Sequence, residues 1–156
     1  MSGITVAAAV GTGMVAGLLF AFSVFVMTAL DRLGSDRAAA AMQSINEVIL
    51  NPVFFVLFIG TALLSLVLMV GAPFSDADEA GWRALGGGLY IVGVMFVTAS
   101  RNVPMNNRLA EVDALAPEIT AEWARYHRDW TRWNHVRALC SLLAAALSIH
   151  LLMHQG

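Results

Sequence analysis

Arg101-Asn102-Val103-Pro104-Met105-Asn106-Asn107-Arg108-Leu109 is the stretch on which the reading of this chain turns. It closes an apolar run, 84–100, and places two arginines and three asparagines directly beside Met95-Phe96-Val97. A proline sits where a helix leaving a membrane would stop or turn. Two readings stay open at this point. The stretch is either a positively flanked helix end, or a polar site at a membrane edge where amides and a guanidinium fix a ligand arriving from lipid.

Working outward, the 156 residues suit one domain, 1–156. Hydrophobic residues make up 58% and charged residues 13%, about half the roughly 25% charged of a soluble domain, so a membrane protein is expected. A net charge of −2, with no lysine, argues against nucleic acid as a partner. Four segments free of charge approach or exceed the roughly 20 residues that cross a bilayer: 4–30, 53–72, 84–100 and 138–154. The third is short and carries Gly86-Gly87-Gly88. The first has no positive n-region, and its apolar length exceeds the roughly 7–15 residues of a secretory h-region, so a retained span is expected. The single cysteine, Cys140, falls in an apolar run as a packing residue.

Eight of the nine cationic residues, Arg32, Arg37, Arg101, Arg108, Arg125, Arg128, Arg132 and Arg137, fall in connections on one side; Arg83 stands alone on the other. The positive-inside tendency makes the arginine-rich side cytoplasmic. The expectation is an integral protein of a bacterial inner membrane with both termini outside, and with membrane lipid as its surroundings.

Within the first span Thr5, Ala9, Gly13, Gly17 and Ala21 recur every four residues, the spacing of a helix-packing seam. Ala38, Ala41, Met42, Ile45, Val48 and Ile49 predict an amphipathic helix over 35–50, with Ser35 or Asp36 as N-cap. It carries Asn46 and leads into Asn51-Pro52, where Asn51 is either a cap or a ligand contact. After a helix over 105–116, interrupted at Pro117, residues 118–153 read as one helix of about 54 Å. That is too long for lipid alone. Its first half is expected to fold back on the motif after the third span, or on a partner.

That half presents Trp123, Tyr126, His127, Trp130, Trp133, Asn134 and Arg137 at steps of three and four, one helical stripe. The stripe is either an interfacial aromatic belt with snorkelling arginines or an aromatic wall for a flat apolar ligand. The fold class expected is all-α, a four-transmembrane-helix bundle with cytoplasmic amphipathic extensions and an unusually long last helix.

Ile45-Asn46, Asn51-Pro52, Asn102-Val103-Pro104-Met105-Asn106 with Leu109, and Trp130-x-x-Trp133-Asn134-x-x-Arg137 together resemble the DUF1772 family of anthrone oxygenase-like integral membrane proteins. The resemblance covers nearly the whole chain. It implies oxidation of anthrones, tricyclic phenolic polyketides, to anthraquinones with dioxygen, and no cofactor. The residues suit that chemistry. Asn and Arg donors, among them Asn102 and Arg137, can hold an oxyanion, and His127 or His135 can accept a proton. A ligand set of Asn46, Asn51, Asn102, Asn106, Trp130, Trp133, Asn134 and Arg137 follows. Two other classes remain: a non-enzymatic membrane subunit that docks a protein partner or a second copy, and a binding protein for a quinone, lipid or haem. His150 and His154, at i and i+4, can share an ion, yet no acidic residue lies in any span to complete a shell. Neither metal nor haem is expected there.

Overall fold

The computed structural model describes residues 2–154, and among them every regular element is helical. Five helices follow one another: α1 (Gly3–Asp31), α2 (Ser35–Val48), α3 (Pro52–Phe74), α4 (Ala77–Ala110) and α5 (Ile119–His154). Helices α1, α3, α4 and α5 are each long and apolar enough to cross a membrane. In the bundle α1 and α4 are each flanked by α3 and α5. Large apolar side chains such as Val10, Met14, Val56, Leu63, Val92 and Leu142 are exposed on the outer faces. A water-soluble monomer does not present so much apolar surface; these faces meet lipid. This is an integral membrane protein of the all-α class.

Four expectations need correcting. The helix does not stop at Pro104: α4 runs on to Ala110, 34 residues in all. Proline lacks the N–H for an i−4 bond, and its ring crowds the carbonyl four residues back. The turn before it, Thr98–Asn102, is a π-helix, and the Val103 N–H donates to the Thr98 carbonyl five residues earlier. The widened turn carries the helix through the proline. Beyond it only Val103–Ala110 is helical, so the predicted helix over 105–116 ends six residues early.

The packing seam of α1 is not the four-residue strip. Gly13 and Gly17 are exposed, and a Cβ built on either meets nothing within 4 Å. The buried face is Thr5, Ala8, Ala9, Thr12, Val15, Ala16 and Leu19, and its glycine is Gly11, where a Cβ would stand 2.2 Å from Thr61 Oγ1. Gly87 does the same for the third span: a Cβ there would meet the Ser65 carbonyl at 2.4 Å, so the glycine-rich start of α4 lies directly against α3.

The cap of α2 is Gly34, at φ 88°, and neither Ser35 nor Asp36. Asn51 does cap α3, its Oδ1 accepting the Phe54 N–H at 3.0 Å, with Pro52 in the first turn.

The first half of α5 folds back on the molecule itself. It packs on α2 and on the end of α4, forming a core of Met27, Ala38, Ala39, Met42, Leu109, Ile119, Trp123, Tyr126 and Trp130. A second core, with Val15, Leu19, Phe58, Ala62, Tyr90, Val94, Ala138 and Ala144, lies within the spans. Gln43 ties α2 down, its Nε2 donating to the Leu109 and Val112 carbonyls at 2.8 and 2.9 Å.

Candidate functional site

A cavity of about 320 Å³ opens between these two cores, at the lower end of the roughly 300–1,000 Å³ of small-molecule sites. Its walls are apolar for the most part: Val15, Leu18, Leu19 and Phe22 from α1, Met42 and Ile45 from α2, Leu50 from the link after it, Phe54 and Phe58 from α3, and Val103 from α4. Trp130 and Arg137 come from α5, with Thr98, Asn106 and Asn107 from α4 and Gln43, Asn46 and Glu47 from α2.

Arg137 is the chemically decisive member. The residue is 6% exposed, and its guanidinium is held by neutral groups. Nη1 donates to Thr98 Oγ1 at 3.2 Å and Nη2 to Asn134 Oδ1 at 2.7 Å. The Trp130 ring lies under it, 5.2 Å from Cζ to the centroid, a cation–π arrangement. Its Nε is buried with no hydrogen-bond partner. No carboxylate among the described residues forms an ion pair with it. Burying a charge costs far more than burying a dipole unless something neutralises it. A site of this kind is suited to a ligand that brings the negative charge.

The asparagines divide into two kinds. Asn134, fully buried, donates from Nδ2 to the Leu19 carbonyl (2.7 Å) and Ser23 Oγ (2.8 Å), clamping α5 to α1 at the start of the π-turn Phe22–Val26. Asn102, also fully buried, donates to the Trp130 carbonyl at 3.3 Å, and its Oδ1 has no partner. Neither lines the cavity; both hold the residues that do. Asn106 and Asn46 do line it. Asn106 Oδ1 accepts from Tyr126 Oη and Trp130 Nε1, both at 2.9 Å. Because indole N–H is donor only, this fixes the amide orientation and turns Asn106 Nδ2 away as a free donor. Asn46 Nδ2 reaches Tyr126 Oη at the long distance of 3.5 Å.

Other sequence candidates lie elsewhere. Asn51 is an exposed helix cap outside the cavity. Trp133 carries the Arg101 guanidinium over its ring at 4.8 Å and is not a wall residue. The two histidines do not enter the cavity either: His135 is exposed, and His127 packs on Trp123 with ring centroids 5.9 Å apart. Steps of three and four group residues only loosely, and the stripe on α5 is broad enough that Trp130 and Arg137 line the cavity while His127 and Trp133 do not.

At the opposite end Asp78 and Glu79 share a small pocket with His150 and His154. These acids precede the charge-free run, so counting residues within spans passed over them. Among the described residues no three His, Cys, Asp or Glu side chains are grouped to hold an ion. His154 Nδ1 stands 2.9 Å from the His150 carbonyl, and Glu79 is bonded to Arg83.

Sequence reasoning passed over Glu47, Thr98 and Phe22. For Glu47 a signal existed: Gln43, Asn46, Glu47 and Leu50 follow the i, i+3, i+4, i+7 rule of one helical face.

The anthrone oxygenase family profile matches residues 54–147, more than half of the chain. The chain belongs to the anthrone oxygenase family. No curated protein and no solved structure gave a match. Within this family member Asn102, Asn106, Trp130, Asn134 and Arg137 all fall inside the matched segment, whereas Asn46 and Glu47 precede it.

Proposed function

We propose that this anthrone oxygenase-like membrane protein binds a flat, fused-ring phenolic ketone of the anthrone class in the α1–α5 cavity and promotes its oxidation by dioxygen. The observation that carries the reading is Arg137, a buried guanidinium without a carboxylate, facing an apolar cavity. Trp130, Phe22, Phe54 and Phe58 supply ring surface. Arg137 and the free Nδ2 of Asn106 supply donors for one oxygen.

The chemistry needs little else from the protein. Loss of a proton from the ring methylene gives an enolate whose charge rests on the ketone oxygen, where Arg137 stabilises it. The anion transfers an electron to dioxygen, and the two radicals combine, forming a C–O bond and a peroxide. Protonation of the peroxide, loss of the remaining C–H proton and cleavage of the O–O bond expel water and leave a second carbonyl. One substrate and one dioxygen thus give one quinone and one water. The electrons come from the substrate, so the scheme uses no cofactor.

The competing reading is a binding protein for an anionic quinol or lipid headgroup, for which the same guanidinium would serve. The two separate in one experiment with purified protein in nanodiscs, using anthrone under air. Acceleration over empty nanodiscs, with one dioxygen consumed per anthraquinone formed, supports oxygenation. Saturable binding without acceleration supports the binder.

The arginine-rich end of the bundle, which holds the cavity, is proposed to face the cytoplasm. A cysteine at Ser75 should then be labelled from outside intact cells and one at Ala121 should not; the reverse pattern overturns the orientation.

A further inference from the structure

Resting on the oxygenase reading, we propose that Glu47 is the catalytic base that takes the methylene proton of the bound substrate. Three observations converge on it. First, among the described residues lining the cavity it is the carboxylate, and no histidine lines the cavity. Second, α2 lines the cavity with Met42, Gln43, Ile45, Asn46 and Glu47, and the two amides among them are already engaged. Gln43 is bonded to the end of α4 and Asn46 approaches Tyr126. The Glu47 carboxylate has neither a hydrogen bond nor an ion pair among the described residues, which leaves its side-chain oxygens available. Third, the two charges of the cavity are separated by depth. Arg137 is buried whereas Glu47 is exposed at the rim.

That separation matches what the reaction asks for. A base paired to Arg137 would neutralise the cation that must hold the enolate. A carboxylate at the rim can instead remove the proton from a ring edge and pass it to water, while the electron pair stays on the ring system facing Arg137. In this step the substrate C–H bond breaks, an O–H bond forms on Glu47, and the negative charge moves from carboxylate to enolate oxygen. After peroxide formation the same carboxylate, returned to its anion by water, takes the second C–H proton as the O–O bond cleaves.

The test uses full-length protein in nanodiscs, with anthrone and anthrone deuterated at the methylene as substrates and anthraquinone as an inert binding probe read by quenching of tryptophan fluorescence. Glu47→Gln should lower kcat by about 100-fold, the lower end of general-base effects. It should leave the anthraquinone Kd within about two-fold and raise the deuterium isotope effect on kcat, with Glu47→Asp recovering part of the rate. A Glu47→Gln protein with kcat and isotope effect unchanged overturns the base assignment while leaving the oxygenase reading intact. Parallel loss of kcat and probe affinity, unrepaired by Glu47→Asp, overturns it too, since that marks a structural part. A wild-type protein that binds anthraquinone but does not accelerate anthrone oxidation defeats both proposals at once.

Discussion

Two arginines of this bundle are buried almost equally, Arg83 at 4% and Arg137 at 6% exposure, and they do opposite things. Arg83, nearly two turns into α4, donates from Nε and Nη2 to Glu79 on the preceding turn of the same helix. Its charge is answered locally, at an end of the bundle where Gly87 brings two helices into contact. Arg137 is answered by a threonine hydroxyl, an amide oxygen and an indole face, beside an open cavity. Burial alone therefore does not mark a site. A buried cation marks one when its own fold supplies no anion and leaves space for one.

This contrast can be broken by substitution, and the largest effect belongs to Arg137→Gln. Removing an oxyanion donor of this kind costs about 10²–10³ in rate, and thermal stability should hold or rise because an unpaired buried charge has gone. Turnover beside detergent-solubilised melting checks both halves.

At the closed end, Gly87→Ala forces a Cβ against the Ser65 carbonyl. A loss of about 1–3 kcal/mol is expected from overpacking, read as a lower melting temperature with normal turnover by the folded fraction. Arg83→Gln strands Glu79. Because that side chain is 18% exposed, the cost should be about 1–2 kcal/mol, short of the roughly 3–5 for a fully buried pair, again without change in turnover per folded molecule.

Asn102→Leu sharpens the division among the asparagines. It removes one hydrogen bond to the Trp130 carbonyl and costs about 1 kcal/mol, while binding of anthraquinone by the folded protein should change little. His135→Ala, at an exposed position, should move stability by no more than about 0.5 kcal/mol and leave turnover unaltered. A large rate loss there would return proton transfer to the histidine and away from the cavity rim.

How much of this was legible in the sequence depends on the solvent each residue meets. The spans were readable because charge is excluded from lipid: four charge-free runs became four long helices, and the 36-residue last helix is displaced by one residue at each end from its sequence bounds. The face of α1 was not readable. Toward lipid and toward core the side chains are both apolar, so Gly13 and Gly17 looked as suitable for packing as Gly11 does. Pro104 was read as a stop because the π-turn that accommodates it has no sequence signature. Among polar groups, type and neighbourhood pointed to Asn46, Asn106, Trp130 and Arg137, which the fold brings to one cavity. Asn102 and Asn134 have the same chemistry, but tertiary contacts with Trp130 and α1 make them clamps. Glu47 was passed over because a lone acid on an amphipathic helix looks like its solvated face until the cavity beneath that helix is known.

The most direct test of the central claim is the ionisation of a bound phenol. A hydroxyanthraquinone whose phenol and phenolate absorb at different wavelengths can be titrated in nanodiscs bearing wild-type protein, Arg137→Gln or Arg83→Gln. A guanidinium beside the phenolic oxygen favours the anion, so in wild type and in Arg83→Gln the bound probe should ionise about one to three pH units lower than in Arg137→Gln. The same ionisation pH in all three proteins would contradict the account, for it would mean that the Arg137 charge does not face the ligand.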